Sequence, residues 1–220
     1  MNACDLKTQV EKHLDGFRER NPLLVRARTG SLTHRQFLDY LNNLMYFFHH
    51  SVIHLEIART RAKQMGNEAI VPFLEEKIRE ERGHDQWARA DLRRSGSTQE
   101  GFDLGRIAPG THRILAYSVD LIGEDPELFL AYMFFHEYIT VLGGPELLAD
   151  LDARCGIPVD HVTAVARHVK LDRHHVEEDL AEITAVLERS PQKAPRLRRT
   201  IDDTAAHADG FYGGMVDLYH

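Results

Sequence analysis

Apolar residues along the chain recur at intervals of three and four positions, the spacing of an α-helix that buries one face. The alternation of apolar and polar residues that is typical of β-strands is missing, and clusters of glycine and proline separate the periodic stretches. The pattern predicts an all-α fold with seven helices, at residues 5–20, 33–65, 68–95, 109–122, 126–142, 159–189 and 195–219. Because no internal repeat or linker divides the 220 residues, we expect one domain over residues 1–220.

Proline and glycine mark several of the predicted helix boundaries. Asp125 followed by Pro126 is typical of an N-cap with proline in the first helical position, and it predicts the start of the fifth helix. Pro158 predicts the start of the sixth helix. The run Gly143–Pro145 predicts that the fifth helix ends abruptly.

Composition and charge exclude several classes of protein. A chain with 43% hydrophobic and 28% charged residues resembles an ordinary globular protein and not a disordered one. It has neither an apolar run of the roughly 18 residues that span a membrane nor the apolar core of a signal peptide. Two cysteines cannot form a disulfide framework, which fits a reducing compartment. The net charge of -7 disfavours nucleic acid as a partner. We therefore expect a cytoplasmic protein that binds neither nucleic acid nor membrane.

Fourteen histidines direct attention to their spacing, and one predicted helix carries the clearest pattern. His168, Asp172 and His175 occupy positions i, i+4 and i+7, so their side chains share one face of the helix. The face continues into apolar positions, which points it partly toward the core. The charged run at residues 177–179 favours the alternative, a solvated helix.

A second cluster lies in the predicted helix 68–95. Glu81 and His84 are three residues apart on a mostly apolar face, and a carboxylate and an imidazole there need a partner. Glu80, four residues before His84, is an alternative to Glu81. The alternative is a surface helix with salt bridges, which explains the same Glu- and Arg-rich sequence without a metal site.

Glu137 lies in an apolar stretch from residue 130 to 141. A buried carboxylate there costs free energy unless it is paired or binds a metal, so a structural ion pair is the alternative. His136 is adjacent, but the helical spacing predicts that it faces away from the site.

Together these segments predict a mixed histidine and carboxylate metal centre inside a helical bundle. Such ligands suit iron or manganese, and the lack of thiolates argues against a closed structural zinc site. Because six ligands exceed what one open metal needs, we expect two metal ions. The predicted ligands are Glu81, His84, Glu137, His168, Asp172 and His175.

These motifs resemble those of the haem-oxygenase-like diiron oxidases and oxygenases, whose relatives include thiaminase-like and pyrroloquinoline-quinone-synthase-like proteins. The resemblance covers about residues 33–190 and rests on Glu81-x-x-His84, on Glu137 in an aromatic-rich helix, and on His168-x-x-x-Asp172-x-x-His175. It implies a homodimeric seven-helix bundle without haem, with two irons, or manganese in their place, that react with dioxygen.

The implied substrate is a small organic molecule, either amino-acid-like or fatty-acid-like. The implied reactions are N-oxygenation, decarboxylation, desaturation and carbon-carbon cleavage. One departure from the resemblance concerns the first carboxylate, which some members place two or three turns before the first histidine. Here Leu74 and Lys77 occupy those positions.

Three other interpretations use overlapping residues. A ferritin-like diiron protein would add Glu56 and leave His168 unused. An iron-storage or sensor protein would have the same ligands and no organic pocket. A cofactorless oxidase similar to the quinone synthases would line a metal-free pocket with His50, His54, His84 and His175.

The second predicted helix carries a candidate substrate pocket. Phe47, His50 and His54 follow helical spacing, with Asn43 and Ile57 on the same stripe. Polar groups among aromatic rings suit a small polar molecule. A contact face between helices is the alternative.

Overall fold

The computed structural model describes residues 3–218, with side chains from residue 5 onward. Over this range the chain forms nine α-helices and no strand, which confirms the all-α prediction. The helices are α1 (Ala3–Arg20), α2 (Pro22–Thr29), α3 (His34–Gln64), α4 (Val71–Glu81), α5 (His84–Arg94), α6 (Pro109–Glu124), α7 (Leu128–Cys155), α8 (Thr163–Arg189) and α9 (Ala194–Gly214). Single 3-10 turns lie at Glu68–Ile70, Leu104–Arg106, Val159–His161 and Pro191–Lys193.

Two helices more than predicted are present in the described part of the chain. The short helix α2 follows α1 directly, because the Asn21 side chain accepts a hydrogen bond from the Leu23 amide and Pro22 begins the new helix. The predicted helix 68–95 divides into α4 and α5 at Gly83, whose φ of +94° is a left-handed conformation that favours glycine. Residue 219, the predicted end of the last helix, lies outside the described residues.

The prediction that the fifth helix ends at Gly143–Pro145 is wrong. Helix α7 continues through Pro145 to Cys155 and buries Leu147 and Leu151 beyond it, which offsets the backbone hydrogen bond that proline cannot make. Gly144 is a packing position: a Cβ atom there would lie 2.4 Å from Cγ2 of Val169 on α8. The glycine therefore allows α7 and α8 to approach closely.

Two predicted helix starts also lie too early. Asp125 and Pro126 form the turn between α6 and α7, with Asp125 accepting a hydrogen bond from the Glu127 amide at 3.0 Å, and α7 begins at Leu128. Pro158 precedes a 3-10 turn and not a helix, because Val162 leaves the helical region with a φ of -132° and α8 begins at Thr163.

The core is built around α7. Residues 128–136 of this helix are buried without interruption, and α1, α2, α8 and α9 pack against it. Helix α3 packs on α4, α5 and α6 on the other side of the bundle. Among residues 3–218, no helix is long and apolar enough to cross a membrane.

Candidate metal centre

Helix α8 turns the predicted stripe inward. His168, Asp172 and His175 are all buried, and the stripe continues to Asp179, which is fully buried four residues further on. Glu177 is exposed and Glu178 half-buried, so only part of the charged run faces solvent. The face therefore points into the bundle toward α4, α5 and α7.

A first group of ligand atoms comes from three helices. Nδ1 of His84 lies 3.0 Å from Oε2 of Glu81 and 3.2 Å from Nε2 of His168. Oε2 of Glu81 is 4.0 Å from the same His168 nitrogen. One ligand atom from each of these residues lies within 4.8 Å of the other two, which is a spacing that can hold a metal ion.

The orientation of His168 is fixed by the backbone of its own helix. Its Nδ1 lies 2.8 Å from the carbonyl oxygen of Ala164, which places a proton on Nδ1. In the neutral imidazole the lone pair is then on Nε2, which faces Glu81 and His84. A histidine that donates its other N–H to a backbone carbonyl is the usual arrangement for a metal ligand.

Aromatic rings cover both imidazoles of this group. The Phe48 ring stacks on His168 with centroids 4.5 Å apart, and the Trp87 ring stacks on His84 at 3.9 Å. These rings exclude water from one face of each imidazole and hold its plane.

A second group surrounds His175. Its Nε2 lies 3.5 Å from Oε2 of Glu80, and its Nδ1 lies 3.5 Å from Oδ1 of Asp172 and 3.7 Å from Oε1 of Glu137. Atoms of Glu80, His175 and Glu178 also lie within 4.8 Å of one another. All six predicted ligands therefore lie in one region. Glu80 is close to His175, and Glu81 is close to His84.

A buried lysine lies among the carboxylates of the second group. Nζ of Lys77 is 3.2 Å from Glu178, 3.7 Å from Glu137, 3.8 Å from Asp179 and 3.9 Å from Glu80, and the side chain is 1% exposed. Burial lowers the pKa of Lys77, but the charges of Glu137 and Asp179 outweigh it and raise that pKa. The ammonium therefore remains charged and is itself a cation of this group.

The ionisable groups show that the centre favours positive charge. Burial raises the pKa of Glu81, but the nearby imidazoles of His168 and His84 outweigh it and hold the pKa well below its usual range. Burial lowers the pKa of His168, while Glu81 and Asp172 raise it further than burial lowers it. Burial, and next the charge of Asp179, raise the pKa of Glu137. Burial raises the pKa of Asp179 to about 6. The carboxylates exceed the cations around them.

Unpaired buried atoms agree with a cation site. Atoms without a hydrogen-bond partner among the described residues include Oε2 of Glu80, Oε2 of Glu137, Oδ1 of Asp172, Nδ1 of His175 and both oxygens of Asp179. An unpaired buried acceptor costs free energy, and a coordinated metal ion removes that cost. The second group therefore fits a bound cation by its unpaired atoms, and the first group fits one by the spacing of Glu81, His84 and His168.

Helices α5 and α8 are fixed relative to each other by Asp91. This fully buried residue of α5 accepts hydrogen bonds from the hydroxyl of Thr163 at 2.6 Å and the amide of Ala164 at 2.8 Å. It caps the start of α8 from a neighbouring helix. The contact sets the register in which His84 meets His168.

A largely apolar cavity of about 160 Å³ reaches the centre. Lys77, Glu81, Glu137, His168 and Asp172 contribute to its wall. Most other lining residues are aliphatic or aromatic and come from α1, α2, α3, α7 and α9, among them Leu14, Leu24, Leu44, Phe129, Met133 and Phe211.

The predicted pocket residues divide between this cavity and other surroundings. Phe47 and His54 line the cavity. His50 packs instead against the Tyr46 ring, with centroids 4.2 Å apart, and its Nδ1 lies 2.8 Å from the Tyr46 carbonyl oxygen. Asn43 has a structural role, since its Oδ1 accepts hydrogen bonds from the amide of Ala108 and the hydroxyl of Thr111.

His136 belongs to neither group of ligand atoms, but it lies on the cavity wall, a position that the sequence did not predict. Its ring lies among those of Phe47, Tyr132, Phe135 and Phe211, with centroids 4.7 to 6.3 Å away. Burial lowers the pKa of His136 to about 3, so the imidazole is neutral near pH 7.

Comparison with solved structures identifies the architecture. A domain of unknown function with a heme oxygenase-like fold from Shewanella denitrificans matches with a TM-score of 0.85 and 15% sequence identity, over 100% of this chain and 94% of that one. The chain has the haem-oxygenase-like fold. This confirms the fold that the sequence motifs imply, with nine helices in the described residues where seven were expected.

Two other structures with similar architecture extend the comparison. A TenA homolog from Pseudomonas syringae pv. tomato has a TM-score of 0.73 and 15% identity, over 97% of this chain and 92% of that one. A CADD-like protein of unknown function from Nostoc punctiforme has a TM-score of 0.70 and 15% identity, over 96% and 97%. No family model matches the sequence, and no curated protein matches it.

The haem-oxygenase-like fold places Glu56 away from the centre, which argues against the ferritin-like interpretation. The Glu56 side chain is 46% exposed and its carboxylate faces Arg82 at 3.4 Å. His168, which that interpretation leaves unused, lies inside the first group.

Three residues of the region lie beyond the predicted ligands. Asp179 extends the stripe on α8 by four positions, so its spacing from His175 was the available indication. Glu178 and Lys77 carry no such indication, because their roles depend on how α4 and α8 meet.

Proposed function

We propose that this chain is an oxygen-dependent non-haem iron enzyme that oxidises a small organic substrate with a mainly apolar body. The observation that supports it most is the convergence of Glu81, His84 and His168, two of which, Glu81 and His168, line an apolar cavity. Nitrogen and oxygen ligands in this combination suit iron, with manganese as the alternative metal. The haem-oxygenase-like fold agrees with the resemblance of the motifs to diiron oxidases.

The first metal would be held by Glu81, His84 and His168, and the second by Glu137, Asp172 and His175. Glu80 and Glu178 lie within reach of the second position. Iron bound at these positions would provide the chemistry that activates dioxygen, since amino-acid side chains alone do not provide it.

The protein's own residues orient and shield this centre. The Ala164 carbonyl holds His168 in one tautomer, and Phe48 and Trp87 cover the imidazole faces. The apolar wall of the cavity excludes water from the bound substrate, which limits side reactions. The cavity is small, so we expect a substrate, or the reacting part of one, about the size of a single ring.

Substrate-triggered oxygen consumption tests the proposal. Protein loaded with Fe(II) is mixed with a panel of amino acids, fatty acids of increasing length and neutral phenols, and dissolved oxygen is followed with an electrode. We expect one class to accelerate consumption, His168→Ala to abolish it, and His112→Ala, a change at an exposed histidine, to leave it unchanged.

The other interpretations give different results. An iron-storage protein consumes oxygen in proportion to added iron, whatever organic molecule is present. A cofactorless oxidase keeps its full rate after exhaustive chelation. Either result would refute the proposed function.

A further inference from the structure

His136 is a buried polar group without a partner in the protein. Among the described residues neither Nδ1 nor Nε2 of its ring has a hydrogen-bond partner, and the residue is 9% exposed. An unpaired buried polar group destabilises the folded state, so such groups are rare unless they meet a ligand or water.

His54, another histidine of the cavity wall, does have a hydrogen-bond partner in the protein. Its Nδ1 lies 2.7 Å from the hydroxyl oxygen of Ser118, which itself donates to the carbonyl of Leu115. His54 is thereby tied to α6, whereas His136, on α7, faces the cavity among aromatic rings. The two residues differ in what their nitrogens can offer a bound molecule.

The chemistry of His136 defines the group that it can bind. The His136 ring is buried among aromatic rings with no hydrogen-bond partner from the described residues, surroundings that favour the uncharged imidazole. A neutral imidazole has one N–H donor and one nitrogen acceptor, so a hydroxyl, which both donates and accepts, is its complement. A charged group buried beside it would lose its hydration without gaining an opposite charge. The apolar remainder of the wall requires an apolar body around that hydroxyl.

The size of the cavity limits the body of the ligand. Its volume of about 160 Å³ is close to that of an apolar cavity of roughly 150 Å³ that admits benzene. A single ring with one small substituent therefore fits.

We propose that His136 is a substrate-binding residue that selects a neutral, ring-sized molecule carrying a hydroxyl group over its purely apolar analogue. This deepens the proposed function by naming the substrate class. It rests on that function for the reaction only, since binding in the cavity requires no metal.

Phenol and toluene are the probes, because they have the same shape and differ in a hydroxyl and a methyl group. Their dissociation constants are measured by calorimetry on metal-free wild-type protein and on His136→Phe, which keeps a ring of similar size. In wild-type protein we expect phenol to bind about tenfold more tightly than toluene, as one net hydrogen bond provides. In His136→Phe that preference disappears while toluene still binds, which shows that the cavity is intact.

A spectroscopic measurement gives a second criterion. Long-range proton–nitrogen spectra of histidine-labelled protein assign the His136 ring through the resonances that His136→Phe lacks. Phenol shifts those resonances, and toluene does not shift them comparably. The exposed variant His112→Phe keeps the phenol preference of the wild type.

Several outcomes would overturn the proposal. They are an equal preference for phenol in wild-type protein and His136→Phe, His136 resonances that phenol leaves unmoved, and failure of phenol to bind at all. None of them bears on iron binding, because every measurement uses metal-free protein.

Discussion

Nδ1 of His84 lies 3.2 Å from Nε2 of His168, although 84 residues separate the two in the sequence. In the neutral imidazole of His168 this Nε2 carries the lone pair, because the Ala164 carbonyl holds the proton on Nδ1. Oε2 of Glu81 completes the group at 3.0 Å from His84. In metal-free protein the protons on the two imidazoles provide the positive charge that this group favours. A metal ion that displaces those protons is bound by Glu81, His84 and His168.

Lys77 balances the second group of carboxylates. Lys77→Met removes the ammonium from among Glu137, Glu178 and Asp179, and we expect metal-free protein to lose about 3–5 kcal/mol of unfolding free energy. The same change should raise the affinity for a divalent cation, because the carboxylates then lack a counter-ion. Urea unfolding and thermal shifts during Mn(II) titration measure the two effects.

The matched control is Lys63→Met, which removes a lysine from a half-exposed pair with Glu75 at 3.0 Å. It should change neither quantity appreciably, since exposed ion pairs contribute little. Equal behaviour of the two variants would show that Lys77 does not compensate the carboxylates.

Asp91 connects α5 to the start of α8. Asp91→Ala removes the acceptor for the Thr163 hydroxyl and the Ala164 amide, so the unfolding free energy should fall by about 2–3 kcal/mol. Because the contact sets the register of His84 and His168, metal affinity should fall as well. Denaturation and metal titration of the same variant test both points.

Asp160→Ala is the control for this change, since Asp160 is an exposed residue beside the same helix start. A stable Asp91→Ala protein with wild-type metal affinity would argue against the positioning role.

Gly144 sets the separation of α7 and α8. Gly144→Ala places a Cβ atom 2.4 Å from Cγ2 of Val169, which forces the helices apart and should cost about 1–3 kcal/mol. At Gly143 the added atom would meet the end of the Leu14 side chain, with Cδ1 at 3.2 Å and Cδ2 at 3.8 Å. Both changes gain helix propensity, so the smaller clash makes Gly143→Ala the milder change in thermal unfolding. The reverse order would contradict the packing argument.

How much of this could be predicted from the sequence depends on whether the feature is local. The stripe of His168, Asp172 and His175 follows from helical spacing alone, and it faces inward as expected. The continuation of α7 through Pro145 was not predictable, because burial beyond the proline outweighs its local preference.

Side-chain direction on α7 was also beyond the sequence pattern. The helix is buried all round from residue 128 to 136, so its periodicity does not tell which side chains face the cavity. This is why the sequence did not predict that His136 lies on the cavity wall. The sequence marked Lys77 only as a residue at a position where some haem-oxygenase-like diiron proteins have a carboxylate. Its ion pairs could not be predicted, because its partners Glu178 and Asp179 lie on a helix distant in sequence.

His54 makes stability depend on pH in a defined direction. Burial, and next the neighbouring His50, lower the pKa of His54 from 6.5 to about 4. Between these values the unfolded chain binds the proton and the folded chain does not, so stability falls as pH falls through this window. The loss amounts to about 3 kcal/mol.

His54→Asn keeps a side-chain donor near Ser118 but cannot titrate, so its stability should fall less between pH 7 and 4. Urea unfolding at a series of pH values gives the two slopes, with the exposed variant His112→Asn as control. Parallel curves for wild-type protein and His54→Asn would contradict this assignment.

The most direct test of the metal centre is an anaerobic titration of metal-free protein with Fe(II), followed by calorimetry and by iron analysis after gel filtration. The account predicts iron bound in stoichiometric amount, up to two per chain. His168→Ala and Glu81→Gln should abolish the metal site formed by Glu81, His84 and His168, and His112→Ala should retain it. Wild-type protein that retains no iron, or His168→Ala protein that retains all of it, would contradict the account, and the six residues would then form a polar network of the core.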